Sequence, residues 1–195
     1  ESYVMSITAE AQTMFANQNM LDAAGVGVPT TFDELLSSGK KLKSGDVSGV
    51  AMRSKADGTA GSWPGGGFVF SNGGVIIQDG KCMLDSPEAI EAIHYYGTIL
   101  KEAGPLGVGN YHWYECLNDY MQEVCAIGMD SSNFATDIEN PEKSNAAGHT
   151  TYGAMVSGPG KTAKPNMWHW MSGINSKSQN KAAAFLFLTD RKSVV

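Results

Sequence analysis

Residues 168–188 read WHWMSGINSKSQNKAAAFLFL, and this stretch decides the fold expected for the whole chain. Two tryptophans flank His169, a turn follows at residues 172–175, and an Ala/Leu/Phe-rich segment closes the stretch. The pattern predicts a strand, a turn and a helix with Ser178 as its N-cap. A tryptophan ring offers a large apolar face and one N–H donor, so the Trp-x-Trp strand either stacks against a flat ligand or fills a core.

Upstream of this stretch, short strands alternate with helices. Residues 3–7 have the composition of a strand, and residues 48–52 form a second strand candidate that ends at Arg53. Thr31 and Glu34 form a capping box, which predicts the start of a helix between the two strands. Because helices and strands alternate along the chain, we expect an α/β fold in which a mixed sheet is flanked by helices.

Residues 54–74 are rich in glycine, a composition found in phosphate-binding loops. However, no G-x-G-x-x-G lies between a strand and a helix, and no G-x-x-x-x-G-K-[ST] is present. The sequence therefore argues against a nucleotide-binding function. After this segment, residues 75–84 are expected to form a hairpin that turns at Asp79 and Gly80.

A long helix is predicted after the hairpin. Ser86 is placed to cap it, and Pro87 suits the first helical position because its missing N–H is not needed there. One face of this helix is predicted to be buried, because apolar residues recur at helical spacing at Ala89, Ile90, Ile93, Tyr96, Ile99 and Leu100. Trp113 is expected to begin another helix.

The next strand is predicted to end within residues 129–134, and the carboxyl ends of strands are where open α/β sheets bind ligands. Asp130 can accept hydrogen bonds from two hydroxyl groups there, and Asn133 can both donate and accept. The alternative is that Asp130 and the neighbouring serines only cap a helix. Both interpretations remain open from the residues alone.

Charge, hydropathy and residue spacing argue against several classes of protein. The net charge is −6 with no basic stripe, which argues against a nucleic-acid partner. Apolar runs such as residues 182–188 are far shorter than the roughly 18 residues that span a bilayer. The four histidines form no metal-binding motif, and no serine lies in G-x-S-x-G, so we expect neither a metal, a cofactor nor a catalytic site.

The three cysteines form no C-x-x-C motif and no metal-ligand spacing. We expect Cys82, Cys116 and Cys125 to be small buried side chains. A disulfide between Cys116 and Cys125 is the alternative in an oxidising compartment.

Several segments resemble the family 1 extracellular solute-binding proteins, which are the sugar-capturing receptors of ABC importers. The matching features are Gly-Ile-Asn at 173–175, Ser-x-Asn-Lys at 178–181, Ser-Pro-x-Ala at 86–89, and Trp63 followed by Gly73-Gly74. The resemblance covers residues 3–189. One departure is Glu123, which stands where the family has a glycine in a left-handed turn.

The resemblance implies a periplasmic-binding-protein-like lobe and an incomplete two-lobe architecture. Residues 1–189 would be mainly the C-terminal lobe with hinge segments. Residues 190–195, DRKSVV, break the family pattern and would be an artefactual tail. No signal peptide is visible at Glu1, so the family's periplasmic or extracellular location would require a leader that this sequence lacks.

The ligand-binding residues implied by the resemblance combine aromatic platforms with polar groups. A polyol has apolar C–H faces and a girdle of hydroxyl groups, so it needs both. Trp63, Trp168 and Trp170 are the expected platforms. The expected polar contacts are Glu10 and Asp130 as acceptors, Arg53 as a donor fork, and Asn133, which stands where the family's maltose receptor has a stacking aromatic.

The implied function is capture of a sugar, sugar alcohol or small oligosaccharide by closure of two lobes, followed by delivery to the ABC permease. No catalysis and no oligomer are expected. One alternative is a carbohydrate-active enzyme that uses Glu10, Glu115 or Asp130 as paired carboxylates. The other is a structural or adhesion module whose tryptophans belong to the core.

Overall fold

The computed structural model describes residues 4–190, which form alternating strands and helices. The strands are β1 (Met5–Asn17), β2 (Ser48–Ala51), β3 (Ile77–Gln78), β4 (Lys81–Cys82), β5 (Cys125–Ser131), β6 (Thr150–Gly153) and β7 (Met167–Ser172). The α-helices are α1 (Gln18–Ala24), α2 (Phe32–Leu42), α3 (Gly66–Ser71), α4 (Pro87–Ala103), α5 (Trp113–Met121), α6 (Ala135–Ile138) and α7 (Lys181–Asp190).

Contacts divide the described residues into two compact units. The smaller unit comprises residues 4–10 and 167–190, and the larger comprises residues 11–166. Asp190, the first residue of the predicted tail, is the last residue of α7. The rest of that tail, and Tyr3 of the predicted first strand, lie outside the described residues.

The larger unit is built on a mixed sheet. β2 and β5 pair in parallel, with Val50 beside Ile127. β1 pairs antiparallel with both β5 and β6. The strand order is β2-β5-β1-β6, β7 also pairs with β1, and β3 and β4 form a separate hairpin.

Helices α2, α3 and α4 contribute to the core on one face of this sheet. Side chains alternate along a strand, so Met14 and Ala16 of β1 lie on the same face and Phe15 lies on the other. Met14 and Ala16 belong to the larger buried cluster, which also contains residues from the three helices, among them Leu35, Phe68, Ala92 and Ile99. This packing explains why α2 and α4 are amphipathic.

The other face of the sheet packs against α5 and α6. Phe15 contacts Tyr120 of α5 edge-to-face, with ring centroids 4.7 Å apart, and Ile138 of α6 joins the same cluster. Gly128 lies opposite Phe15 in the sheet register, and a Cβ there would be 2.0 Å from the Phe15 ring. With helices on both faces of a mixed sheet, the predicted α/β fold is confirmed.

The predicted helix caps and the predicted hairpin turn are also confirmed. The Thr31 hydroxyl accepts from the Glu34 N–H at 3.2 Å, and the Glu34 carboxylate accepts from the Thr31 N–H at 3.2 Å, which completes the predicted capping box. Ser86 caps α4 as expected. The hairpin turns at Asp79 and Gly80, whose φ angles of 50° and 74° suit a tight two-residue connection.

The smaller unit contains β7, α7 and the first residues of β1. The predicted Trp-x-Trp strand is confirmed as β7, but the N-cap prediction for Ser178 is wrong. The Ser178 hydroxyl accepts from the Asn180 N–H at 3.2 Å in a tight turn, and α7 begins only at Lys181. No helix within residues 4–190 has the length and apolar content needed to cross a bilayer.

The buried face predicted for α4 is partly wrong. Ala89, Ile99 and Leu100 are buried as predicted, whereas Ile90 and Ile93 are 56% and 45% exposed. α4 approaches α2 closely, since a Cβ added at Gly39 would lie 2.8 Å from the Cβ of Ala103. At about 3.6 residues per turn, Ile90 and Ile93 lie to one side of the stripe that faces the core, which contains Ile99 and Ala103.

The cysteine prediction holds for two of the three residues. Cys116 and Cys125 are buried, whereas Cys82 is exposed on β4. All three are free thiols, so the alternative disulfide is not formed in this structure. Burial raises the pKa of Cys125 to about 12, which leaves it an unreactive thiol.

Candidate ligand-binding site

The carboxyl ends of β2 and β5 bring Arg53 and Asp130 together. The Nε of Arg53 donates to Oδ2 of Asp130 at 2.7 Å, and Nη2 donates to Oδ1 at 2.6 Å. The Asp130 side chain is fully buried and that of Arg53 is 14% exposed. Because two guanidinium nitrogens bind the two oxygens of one carboxylate, the pair fixes the orientation of Arg53.

Trp63 covers this ion pair. The Cζ of Arg53 lies 5.7 Å from the centroid of the Trp63 ring, within the range of a cation–π contact. Trp63 belongs to a π-helical turn, Gly61–Gly65, whose carbonyls at Ser62 and Trp63 accept hydrogen bonds from the Asn166 side-chain amide. Trp63 is only 4% exposed, so the predicted platform lies in the interior in this structure.

Tyr96 of α4 holds the backbone of the same site. Its hydroxyl donates to the Arg53 carbonyl oxygen. Burial raises the pKa of Tyr96, which keeps the hydroxyl protonated and able to donate. The sequence analysis missed this contact, because Tyr96 shows only the spacing of a helix-face residue.

Asn133 lies just beyond the end of β5. The backbone N–H of Asn133 donates to the Ser131 hydroxyl at 3.1 Å, and Asn133 is exposed. Asp130 accepts from the Ser131 N–H at 2.7 Å as well as from Arg53. Asp130 therefore stabilises the end of the strand, and the Ser131 hydroxyl caps the turn that follows. The role of Asp130 as a ligand contact stays a prediction.

In the smaller unit, Trp168 and Trp170 share one face of β7. They are 46% and 54% exposed, and their ring centroids are 6.2 Å apart at an interplanar angle of 59°. The Nε1–H of Trp170 donates to Oε1 of Glu10 at 2.6 Å. His169 points to the opposite face of the strand, where Nδ1 lies 3.4 Å from the Ser6 hydroxyl.

The carboxylates required by the enzyme alternative each have a structural partner. Glu10 accepts from Trp170, Asp130 accepts from Arg53, and Oε2 of Glu115 accepts from the His112 N–H at 2.8 Å. Across residues 4–190, no group of three or more His, Cys, Asp or Glu side chains is arranged to hold a metal ion.

The predicted site residues thus form two groups. Arg53, Asp130 and Trp63 are in mutual contact in the larger unit, with Asn133 close by along the chain. Glu10, Trp168 and Trp170 form the second group, in the smaller unit. Their assignment as ligand contacts remains a prediction.

An α/β unit that gathers polar side chains at the carboxyl ends of its strands has the architecture of a ligand-binding lobe. The family model described as "Bacterial extracellular solute-binding protein" matches residues 3–189. The chain belongs to this family, as the sequence features indicated, and the family's members are solute-binding proteins.

Three similar proteins illustrate the family. The erythritol/L-threitol-binding protein of Mycolicibacterium smegmatis is 26% identical over 105 residues, which is 54% of this chain and 22% of that protein. A solute-binding protein of Agrobacterium vitis with bound D-mannitol superposes with a TM-score of 0.86 at 22% identity, covering 95% of this chain and 46% of that one. One of Agrobacterium radiobacter, in complex with ribitol, gives 0.85 at 25% identity, covering 97% and 49%. The chain therefore spans less than half the length of each.

Proposed function

We propose that the chain is part of the substrate-binding component of an ABC importer, which captures a sugar, sugar alcohol or small oligosaccharide without catalysis. The main observation that supports this proposal is the fixed orientation of the Arg53 guanidinium at the carboxyl ends of β2 and β5. Asp130 engages two of the three guanidinium nitrogens. The third, Nη1, is the donor we assign to a ligand hydroxyl.

We assign different roles to Arg53 and Asp130 in the proposed site. Asp130 acts as the positioning partner of Arg53, because a fully buried carboxylate bound to a guanidinium is not offered to a ligand. Asn133, exposed beside it, is the side chain that contacts the hydroxyl girdle. Trp63 holds the guanidinium of Arg53 in place through the cation–π contact.

Within the smaller unit, we assign Trp168 and Trp170 to a stacking surface. Trp168 and Trp170 are half exposed, so they can cover the apolar C–H faces of a ligand without a change in packing. The bond from Trp170 to Glu10 fixes the ring and orients the carboxylate as an acceptor. Because these rings are exposed, the tryptophans of β7 do not behave as the core residues that a structural module would need.

The ligands of the similar proteins narrow the class of ligand that we expect for this chain. Erythritol or L-threitol, D-mannitol and ribitol are all small polyols with contiguous hydroxyl groups. We therefore expect polyols and sugars to bind in preference to amino acids or peptides. Ligand binding would favour a closed state that is presented to the permease subunits, in the periplasm or outside the cell, by a monomer.

The proposed architecture keeps the expected division of the chain. Residues 1–189 would belong mainly to a C-terminal lobe with hinge segments, and residues 190–195 would carry no function.

Calorimetric titration with D-mannitol, ribitol, erythritol, maltose and an amino-acid control tests the proposal. We expect saturable binding of at least one polyol or sugar, weakened by Arg53→Lys, which keeps the charge but loses the planar fork. Trp170→Ala should also weaken it without lowering the melting temperature. Phe185→Ala, which removes an exposed aromatic ring from α7, is the matched control and should leave affinity unchanged.

Two results would contradict the proposal. One is the absence of heat with every carbohydrate while the chain is folded. The other is equal binding by the wild type and by both site variants.

A further inference from the structure

The glycine-rich segment around Trp63 leaves room for two amide side chains. A Cβ at Gly67 would lie 1.8 Å from Oε1 of Gln12, and a Cβ at Gly66 would lie 3.2 Å from Nδ2 of Asn166. Gln12 belongs to β1 and is buried, whereas Asn166 directly precedes β7. The start of α3 therefore packs closely against side chains from two distant parts of the chain.

Gln12 and Asn166 lie where the chain passes between the two compact units. The larger unit begins at Ala11 and ends at Asn166. The N–H of Gln12 donates to the carbonyl oxygen of Asn166 at 2.9 Å, which joins the two crossing segments to each other. This bond fixes the backbone of Asn166, from which the side chain reaches the π-helical turn.

The π-helical turn, Gly61–Gly65, is an irregular element that needs support from outside the helix. Pro64 lies inside it and has no N–H, so the helical hydrogen-bond ladder is interrupted there. Nδ2 of Asn166 donates to the carbonyl oxygens of Ser62 and Trp63, at 2.7 and 3.2 Å. One amide group therefore binds the peptide groups on both sides of the Trp63 Cα.

The position of the Trp63 ring depends on this support. When both neighbouring peptide groups are held, the Cα–Cβ bond of Trp63 has a fixed direction. The ring covers Arg53, whose Cζ lies 5.7 Å from the ring centroid, and the strength of such a contact depends on where the cation lies over the ring face. A shift of the turn would therefore disturb the guanidinium whose Nη1 is the proposed donor to a ligand hydroxyl.

Resting on the proposed function, we infer that Asn166 is a positioning residue of the ligand-binding site. Its side-chain amide holds the π-helical turn so that Trp63 stays over the guanidinium of Arg53. Asn166 acts through Trp63 and not by contact with the ligand. The amide also connects the segment through which the chain passes between the units to the indole over Arg53.

Calorimetry on the whole chain with D-mannitol, ribitol, erythritol and maltose tests the effect on binding. Asn166→Asp keeps the size of the side chain but replaces the donor by a carboxylate, which can only accept. We expect this change to weaken the binding of each ligand that the wild type captures about fivefold. Asn166→Gln keeps an amide donor and should restore affinity to within about twofold of the wild type. Asn19→Asp, which makes the same change at an exposed position of α1, is the control and should leave affinity unchanged.

A spectroscopic measurement shows whether the effect passes through Trp63. The chain has four tryptophans, so labelling with fluorotryptophan gives one fluorine NMR resonance for each, assigned by replacing each with phenylalanine in turn. Without ligand, Asn166→Asp should shift the Trp63 resonance and leave those of Trp168 and Trp170 in place. Asn166→Gln should return the Trp63 resonance toward its wild-type position. A purely structural role would lower the melting temperature without moving one resonance selectively.

The other outcomes overturn the inference in distinguishable ways. Unchanged affinity in Asn166→Asp would show that the positioning role is wrong, and the proposed function would stand. Weaker binding with an unmoved Trp63 resonance, or with all resonances moved together, would also refute a role through Trp63. If none of the carbohydrates binds the folded wild type, the proposed function fails, and the Trp63 resonance alone then shows whether Asn166 holds the turn.

Discussion

Glu123 shows how one residue can stabilise a turn that its backbone conformation disfavours. Its φ of 59° lies in the left-handed region, where a residue with a Cβ loses about 1 kcal/mol relative to glycine. Its carboxylate accepts from Nδ2 of Asn17 and contacts Nε2 of His149, each at 2.8 Å. Asn17 is fully buried, so these bonds offset the strain of the turn.

The same contacts make Glu123 a source of acid sensitivity. Hydrogen bonds from His149 and Asn17 hold the pKa of Glu123 below its ordinary value in the folded state. A lowered folded-state pKa contributes stability that is complete above the unfolded pKa of about 4.3 and is lost as the pH falls through the folded pKa. We expect Glu123→Gln to flatten the decline in unfolding free energy below about pH 4.3.

Denaturant titrations across the acid range measure this effect. Glu142→Gln, an exposed substitution with the same change of charge, is the control and should keep the slope of the wild type. An equal slope for Glu123→Gln and Glu142→Gln would refute the assignment.

At the scale of elements, the contact of α2 with β2 depends on glycine. A Cβ added at Gly49 would lie 1.8 Å from the carbonyl oxygen of Gly39, a backbone atom that cannot rotate away. The strand and the helix would have to separate. The close approach also explains why β2 is buried along its whole length.

We expect Gly49→Ala to lower the unfolding free energy by about 1–3 kcal/mol or more, because it overpacks this contact. Gly97→Ala is the matched control, since Gly97 lies inside α4 with nothing within 4 Å of the added Cβ. That change should raise stability by about 0.5–1 kcal/mol through the better helix propensity of alanine. Thermal melts of the two variants that shift in the same direction would contradict the prediction.

Local elements could be predicted from the sequence because their causes are local. The Thr31–Glu34 capping box and the Asp79-Gly80 turn each depend on neighbouring residues only. The Arg53–Asp130 pair joins residues 77 positions apart, and only the parallel register of β2 with β5 reveals it. The exposure of Ile90 was missed for a similar reason, because the packing of α4 against the rest of the core decides which of its apolar residues are buried.

For the candidate site, the sequence identified residue types but not their roles. Trp63 and Asp130 lie in the interior around Arg53, and their predicted contact with a ligand stays a prediction. A tryptophan in a glycine-rich segment carries no signal that distinguishes a cover from a platform.

At the scale of the whole molecule, the smaller unit exposes a large apolar surface. On α7, Phe185, Leu186 and Phe187 are 55%, 65% and 68% exposed, and no residue of that helix is buried. Exposed apolar surface of this kind binds hydrophobic dyes and favours association. The chain spans less than half the length of the two solved structures compared above.

We expect the 195-residue chain to enhance the fluorescence of the dye ANS in its folded state. Leu186→Lys and Phe187→Lys should reduce this signal without lowering the melting temperature. Gln179→Lys adds the same charge at an exposed polar position and should leave the signal unchanged. A signal equal to that of Gln179→Lys in both α7 variants would show that the dye binds elsewhere.

The buried ion pair also limits how such a protein can change during evolution. Replacing either Arg53 or Asp130 alone strands an uncompensated charge in the interior, at a cost of about 3–5 kcal/mol. Single substitutions of Arg53 or Asp130 are therefore mostly too destabilising to persist. New specificities have to arise first among exposed residues such as Asn133, while the two charged partners change only together.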